Sequence, residues 1–334
     1  MRINNVLKLW QSHGMWLLLT FLIVLFSLLR PTQFFTYATF ANILRQASAL
    51  GMCVVGVAMV QISGATDLSV GPRVALIGII SGNMLLSGIA IWVVIITALI
   101  LGAVTGALNA ILTEALRTYV FVVTIATMNM WTGLINVITK GRMITGFPDV
   151  FRSISQYMIF GWIPSIAVWF ILAIIIGHFI MSKTYFGRYV YALGGNRDAA
   201  RLAGINVVKI NIITHAVGGI FVGGSAILLL SRTMSMSPNS AGTFTFDAIV
   251  AACLGGIILS GGNGKITQAI LGVCVLNVLF NGLTIIGVGD FWQQFIRGVV
   301  MLFSIGILSL QMYVKVDMSE SAPKPEPDNQ KIKL

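Results

Sequence analysis

The sequence predicts an all-α polytopic membrane protein with about ten transmembrane helices, some of them short or discontinuous. Hydrophobic residues make up 57% of the 334-residue chain and charged residues only 9%, whereas soluble domains average about 25% charged residues. A chain of this length can hold roughly ten apolar segments of about 20 residues. This leaves no room for a sizeable soluble domain, so the net charge of +11 is better explained by cytoplasmic flanks of membrane helices than by nucleic-acid binding.

Ten apolar runs are predicted to span the bilayer and to place both termini on the same side. These runs are Met15–Leu29, Leu44–Ser63, Pro72–Ser87, Trp92–Leu112, Val120–Thr139, Ser165–Met181, Ile210–Leu230, Asp247–Leu259, Ile266–Ile286 and Phe291–Gln311. We expect residues 1–314 to form one transmembrane domain. Residues 315–334 are polar and contain three prolines, so we expect a disordered cytoplasmic tail there.

The distribution of basic residues predicts the orientation of the chain. With the N-terminus inside, fourteen of the 21 Lys and Arg residues lie on the cytoplasmic side and seven outside, as the positive-inside rule requires. Arg73 is counted as a cytoplasmic flanking residue and Arg297 as an external one. No Lys, Arg or Glu is expected in the middle of a span, which disfavours a proton- or ion-coupled mechanism.

A charged loop, residues 182–209, interrupts the apolar pattern and is predicted to face the cytoplasm. It is too polar to lie in hydrocarbon, and Lys183, Arg188 and Lys209 flank it near membrane ends. Its centre has the pattern of a short helix, with Asn196 suited to the N-cap and Gly204 to the left-handed position after the last turn. A membrane protein that presents such a helix to water is predicted to dock a partner on it.

Polar residues within or beside the apolar runs are candidates for a translocation path or gate. These are Gln61, Asp67, Ser69, Asn129, Asn277 and Asn281. For Asp67 and Ser69 the favoured interpretation is a capped helix start and a hinge, and the alternative is a place in the path. Hydrogen bonding between helices is the competing explanation for the amides.

The chain carries no recognisable catalytic, nucleotide-hydrolysing or metal-binding pattern. The segment 260–265, SGGNGK, resembles a phosphate-binding loop, but Leu259 stands where the first Gly is required and Ile266 where Ser or Thr is required. The three His and three Cys residues have no metal-ligand spacing. Asp247 is interpreted as a helix N-cap. We therefore predict that this chain is not an enzyme and holds no cofactor or metal.

Two pairs of segments indicate an internal repeat. LGAVTGALNAIL (101–112) is similar to LGVCVLNVLFNG (271–282), and DLSVGPRVALIG (67–78) aligns with DAIVAACLGGII (247–258). Five spans per half would give the copies opposite orientations, as in transporters with inverted repeats. Chance similarity between apolar helices is the alternative.

Four separated motifs resemble the ribose-type permeases of bacterial ATP-binding-cassette (ABC) importers, which take up ribose, related monosaccharides and autoinducer-2. The motifs are SGATDLSVG (63–71), FGRYVYALGGNRDAARLAGINVVKI (186–210), FDAIVAACLGGIILSGGNGK (246–265) and FWQQFIRGVVML (291–302). The resemblance extends from about Pro31 to Gln311. Two departures, at Ala65-Thr66 and Pro72-Arg73, lie in a segment that we associate with substrate choice or gating.

The resemblance implies a permease subunit in a bacterial cytoplasmic (inner) membrane, with both termini cytoplasmic. ATP and Mg²⁺ would bind to a separate cytoplasmic ATPase subunit, and a periplasmic or lipid-anchored binding protein would deliver the sugar. A second permease copy, or a homologous permease, would complete the path. The coupling residues would be Gly194, Gly195, Asn196, Arg197, Asp198, Ala199, Ala200, Arg201, Leu202, Ala203 and Gly204. The alternative function is a stand-alone secondary transporter or channel for a small polar solute.

Overall fold

The computed structural model describes residues 2–320, with only the backbone described for residues 2–13, 305 and 307–320. This range contains fourteen α-helices and two two-stranded sheets. The helices of the first half are α1 (Arg2–Leu29), α2 (Pro31–Phe34), α3 (Tyr37–Ile62), α4 (Val70–Leu86), α5 (Ile91–Leu116), α6 (Val120–Thr139) and α7 (Asp149–Gln156). Those of the second half are α8 (Ser165–Lys183), α9 (Tyr185–Gly195), α10 (Arg197–Leu202), α11 (Val207–Thr233), α12 (Phe244–Leu254), α13 (Ile266–Ile285) and α14 (Asp290–Glu320).

The predicted all-α membrane architecture is confirmed, although the number of spans stays a prediction. Six helices of the described range are long and apolar enough to cross a membrane, namely α3, α5, α6, α8, α11 and α13. Three shorter apolar helices are Gly14–Leu29 within α1, α4 and α12. All ten predicted runs overlap a helix of the structure.

Helix α11 lies at the centre of the molecule and contacts both α3 and α5 through glycines. A Cβ added at Gly102 of α5 would collide with the carbonyl oxygen of Gly219, and one added at Gly56 of α3 would collide with that of Gly218. Small residues allow membrane helices to approach until their backbones touch. The glycine pairs of this chain therefore set the distance between its central helices.

Helices α4 and α12 are shorter than the six long apolar helices, and their first turns meet inside the protein. The backbone N–H of Gly71 donates to Thr245 Oγ1 at 2.8 Å, and that hydroxyl donates to the carbonyl of Leu68 at 3.3 Å. With 17 and 11 residues, the two helices are about 25 Å and about 16 Å long. The prediction of short or discontinuous helices agrees with this arrangement.

The short strands lie at one end of the helix bundle, which we call the hairpin end. Strands β1 (Ile144–Thr145) and β4 (Ser235–Met236) pair antiparallel, with Ile144 opposite Met236. Strands β2 (Met158–Ile159) and β3 (Ile163–Pro164) form a separate hairpin. We call the opposite end, where α9 and α10 lie, the α10 end.

The predicted boundary between the transmembrane domain and a disordered tail does not match the end of the last helix. Helix α14 continues through residue 315 to Glu320, so the first six residues of the predicted tail are helical. Residues 321–334 lie outside the described residues.

Replacing Gly102 by alanine is expected to destabilise the fold, because the methyl group would meet the α11 backbone, which cannot move aside cheaply. Overpacking of this kind costs about 1–3 kcal/mol. Gly133→Ala on α6 is the matched control, since nothing lies within 4 Å of its added Cβ. We expect a lower aggregation temperature in detergent for Gly102→Ala only; equal temperatures would contradict the role of this contact.

Candidate functional site

The short helix predicted in the charged loop is present as α10, and both of its ends have the predicted geometry. The Asn196 side chain accepts hydrogen bonds from the N–H groups of Asp198 and Ala199 at 3.0 and 2.9 Å. At the other end Gly204 has φ +83°, a left-handed conformation that favours glycine. Its N–H donates to the carbonyl of Arg201 at 3.0 Å. The helix is therefore capped at both ends by its own sequence.

A cluster of glycines, which we call the glycine junction, holds the end of α9, directly before α10, against two other segments. It comprises Gly64, Gly194, Gly261 and Gly262. A Cβ on Gly194 would collide with the carbonyl oxygen of Ile62, and a Cβ on Gly261 would lie 2.5 Å from Gly64 Cα. The N–H of Gly262 donates to the carbonyl of Ile62 at 2.8 Å. Three segments that are distant in sequence thus meet in backbone contact.

Tyr191 of α9 adds a side-chain contact to this junction. Its hydroxyl donates to the carbonyl of Gly264 at 2.7 Å. Burial raises the pKa of Tyr191 above its ordinary value, because the anionic form is poorly solvated there. The tyrosine therefore stays a neutral donor, and α9 is tied to the glycine-rich turn after α12.

Arg197 of α10 is bound within the chain rather than left free. Its guanidinium pairs with the carboxylate of Glu114 at the end of α5, and Asn211 of α11 donates to the same Glu114 oxygen at 2.7 Å. Both predicted coupling arginines are on α10, but only Arg197 makes this contact. Glu114 therefore anchors α10 to the two central helices.

The outer face of α10 is open to solvent. Leu202 is 90% exposed, and Ala199, Arg201 and Ala203 are exposed as well. Ala200 is the buried residue of the helix. Arg201 has only a 3.9 Å contact with Asp198, so its guanidinium remains available. An exposed leucine beside an exposed arginine is a suitable surface for a partner protein.

Asp67 and Ser69, two of the predicted path residues, belong to a buried ion-pair network. The Asp67 carboxylate pairs with Arg73 at 2.7 Å, and the two side chains are 3% and 2% exposed. Asp67 also accepts from the N–H and the hydroxyl of Ser69 at 2.8 and 2.7 Å. Arg73 donates further to Thr105 Oγ1 and to the Gly102 carbonyl at 3.0 and 2.9 Å. Each guanidinium nitrogen of Arg73 has a partner, so the buried cation is fully hydrogen-bonded within the protein.

Two predicted helix caps differ from the structure. Ser69 occupies the N-cap position of α4, but its side chain makes no capping hydrogen bond, because Asp67 already binds it. Asp247 is not an N-cap; it lies in the first turn of α12 after Thr243. Its carboxylate instead forms an ion pair with Arg297 of α14 at 3.0 Å.

The remaining predicted path residues do not form one site. Asn277 and Asn281 share a buried face of α13, and Asn281 exchanges hydrogen bonds with Gln46 of α3 at 3.2 and 3.4 Å. Gln61 is fully buried near the end of α3, and neither polar atom of its side chain has a partner among the described residues. Asn129 is on an exposed face and donates to its own helix.

Sequence similarity identifies the family of this chain. Residues 39–305 match the family described as the permease component of branched-chain amino acid transport systems. The chain belongs to this permease family. Among the described side chains, no group of three or more His, Cys, Asp or Glu residues could hold a metal ion.

Several curated proteins are similar to this permease over most of their length. It is 35% identical over 297 residues to the ribose import permease protein of Bacillus subtilis (strain 168), covering 88% of this chain and 92% of the relative. The ribose import permease protein of Escherichia coli (strain K12) is 34% identical, with 85% and 89% covered. The galactose/methyl galactoside import permease protein of Haemophilus influenzae (strain ATCC 51907 / DSM 11121 / KW20 / Rd) is 30% identical, with 92% and 97% covered. No solved structure matches the chain.

The sequence analysis missed the charged residues that the permease buries. The sequence predicts flanking positions for both Arg73 and Arg297, yet each pairs with an aspartate, Arg73 fully buried and Arg297 partly buried. The pairing of Asp67 with Arg73 could have been found from the sequence, because the two residues lie close together on either side of a predicted helix start. For Asp247 and Arg297, which lie 50 residues apart in sequence, only the fold reveals the pairing.

Arg73→Met is expected to destabilise the permease, because it leaves Asp67 charged, buried and unpaired. Removing one partner of a buried ion pair costs about 3–5 kcal/mol. The exposed Arg142→Met is the control. The melting temperature in detergent should fall only in Arg73→Met and should be partly restored by adding Asp67→Asn. An unchanged melting temperature would contradict a structural role for the pair.

Glu114→Gln is expected to loosen α10, because Arg197 loses its ionic partner. A partly exposed pair contributes roughly 0.5–1 kcal/mol, so hydrogen–deuterium exchange over residues 196–204 should rise several-fold. Arg197→Gln should give the same increase, and the double variant should add little. Arg201→Gln, whose ion pair is exposed and long, should leave exchange unchanged; an equal increase there would argue against the Glu114 anchor.

Proposed function

We propose that this chain is the membrane-spanning permease subunit of an ABC importer for a small sugar. Support comes from the family membership, from relatives named as ribose and galactose/methyl galactoside import permeases, and from the four sequence motifs. The observation that carries the proposal is α10, a capped helix with an almost fully exposed leucine in a membrane protein. Ribose and galactose are the first candidates, and autoinducer-2 follows only from the sequence resemblance.

In this proposal the partner ATPase docks on α10, and ATP and Mg²⁺ bind to that subunit. Leu202 would fill an apolar pocket of the ATPase, and Arg201 would meet an acidic or carbonyl group. Arg197 would act from within the permease by holding α10 on Glu114. The other predicted coupling residues contribute the caps and the glycine junction, which fix the direction in which the helix points.

The glycine junction gives a route by which docking could affect the membrane helices. It joins the end of α9, directly before α10, to Gly64, which precedes α4, and to Gly261 and Gly262, which follow α12. The first turns of α4 and α12 contact each other inside the protein. A shift of α10 would therefore be transmitted by backbone contact to both discontinuous helices, since glycines leave no flexible side chain to absorb it.

We infer that the α10 end faces the cytoplasm of a bacterial cell and that both termini lie on that side of the inner membrane. The basic residues of the 182–209 loop support this orientation. The hairpin end would then face the periplasm and receive the sugar from a binding protein. A second permease copy, or a homologous permease, would complete the path.

We also propose ten spans arranged as an inverted repeat of five plus five. The contacts of the two halves correspond: α4 contacts α5, α6 and α11, whereas α12 contacts α13, α14 and α3. Asp67 and Asp247, which align in the sequence, both lie near the start of a short helix and both pair with an arginine.

The import proposal is tested by sugar uptake in cells that express the permease with an ATPase and a binding protein from the same organism. Ribose or galactose should accumulate only when all three are present. Uptake that persists without the ATPase would support the stand-alone transporter instead.

Leu202→Ala is expected to weaken docking of the ATPase, because it removes the exposed apolar anchor of α10. Loss of a central anchor costs at least about 1 kcal/mol, or roughly fivefold in affinity. The control is Leu116→Ala at the same end of the bundle, where the leucine is also exposed. Co-purification of the ATPase and sugar uptake should both fall in Leu202→Ala alone. Equal co-purification of both variants would exclude Leu202 as a docking residue.

A further inference from the structure

A cavity of about 330 Å³ lies between α12, α13 and α14, within the size range of small-molecule sites. Its wall contains Asp247 and Arg297 together with Thr243, Phe246, Phe280 and Gln294. None of these residues was predicted as part of the path. The cavity is mostly apolar, with a few polar groups gathered at one place.

The ion pair in this cavity is open, unlike the one between Asp67 and Arg73. The side chains of Arg297 and Asp247 are 26% and 12% exposed, and the terminal guanidinium nitrogens of Arg297 have no protein partner among the described residues. The guanidinium carbon of Arg297 lies 4.3 Å from the centroid of the Phe280 ring. Donor and acceptor capacity therefore remains free for a ligand.

The polar groups of this cavity are better matched by water or a polar ligand than by lipid tails. Arg297 is the eighth residue of α14, about 10 Å along the helix from its first residue. Charged groups at this depth are stable only beside water, protein or a polar ligand. Gly242 and Thr243, which also line the cavity, precede α12 as exposed, non-helical backbone. Within a membrane such backbone is tolerated where it is buried in protein or lines an aqueous space.

We propose that this cavity is a subsite for a neutral polyhydroxylated solute on the translocation path, with Asp247 accepting from and Arg297 donating to its hydroxyl groups. The aromatic rings of Phe246 and Phe280 would pack against the C–H faces of the sugar ring. A fixed carboxylate and guanidinium side by side match neighbouring hydroxyls, each of which is both donor and acceptor. This inference rests on the proposed sugar import and names residues that would bind the sugar.

The position of the subsite connects it to the docking helix. Asp247 is in the first turn of α12, and the turn that follows the end of α12 carries Gly261 and Gly262 of the glycine junction. Movement of α12 would change the distance between Asp247 and Arg297, because Arg297 belongs to the separate helix α14. The subsite could thus be opened and closed from the α10 end.

The test is protection of a cysteine by sugar. Gln294→Cys is made in a background with Cys53, Cys253 and Cys274 replaced by alanine, and its reaction with a water-soluble methanethiosulfonate is timed in membranes with and without ribose or galactose. We expect the sugar to slow modification several-fold. Trp292→Cys is the control: it is exposed, lies outside the cavity lining, and should react at an unchanged rate.

Adding Arg297→Gln or Asp247→Asn to the Gln294→Cys protein should abolish protection while the protein remains folded. Erythritol, a smaller polyol, serves as a probe of hydroxyl recognition and should protect more weakly. Uptake is measured in parallel with the wild-type importer. Uptake without protection would overturn the subsite and leave the import function standing, whereas protection without uptake would overturn import and retain the subsite. Protection that survives both neutral variants would show that the ion pair does not bind the sugar.

Discussion

Direct backbone contact between α11 and its two neighbours is the constraint on which the rest of this structure depends. Apolar side chains give little drive for helices to associate in a bilayer, since lipid tails are equally apolar. The helices must therefore associate by van der Waals contact between backbones that approach each other closely. Gly218 and Gly219 are adjacent on α11, yet one meets α3 and the other meets α5. The central helix is held from two sides, and the polar networks are arranged around it.

The close approach of the helices also determines where charges can be buried. Arg73 fits between α5 and α11 because Gly102, Gly106 and Gly219 leave space there; an added Cβ at Gly106 would lie 3.0 Å from the guanidinium. In that space each nitrogen reaches an acceptor, as a buried cation requires. Around Arg297 no such closure occurs, and the same pair of residue types lines a cavity. The two ion pairs have the same residue types. They differ in whether neighbouring groups of the protein hydrogen-bond every guanidinium nitrogen, and only the pair with free nitrogens can bind a solute.

Glycine serves two different purposes in this molecule. In the helices, glycine removes side-chain volume. In the glycine junction, Gly64, Gly261 and Gly262 also adopt positive φ values of +83°, +86° and +74°, which other residues rarely adopt. The junction therefore combines tight turns with close contact. Helix α10, which follows this junction directly, has few internal degrees of freedom, so force applied to it would reach α4 and α12.

The sequence alone determined the membrane class, the positions of the apolar helices and the ends of α10, because these depend on local composition, hydropathy and capping residues. Asn196 and Gly204 were identifiable since their roles involve only neighbours in sequence. The tertiary structure decided which charges are satisfied. It joined Arg197 to Glu114 and Asp247 to Arg297, and it showed that Asn277 and Asn281 are apart from Asp67. These pairings depend on which helices lie side by side, and hydrophobic pattern does not encode this because every face of a membrane helix is apolar.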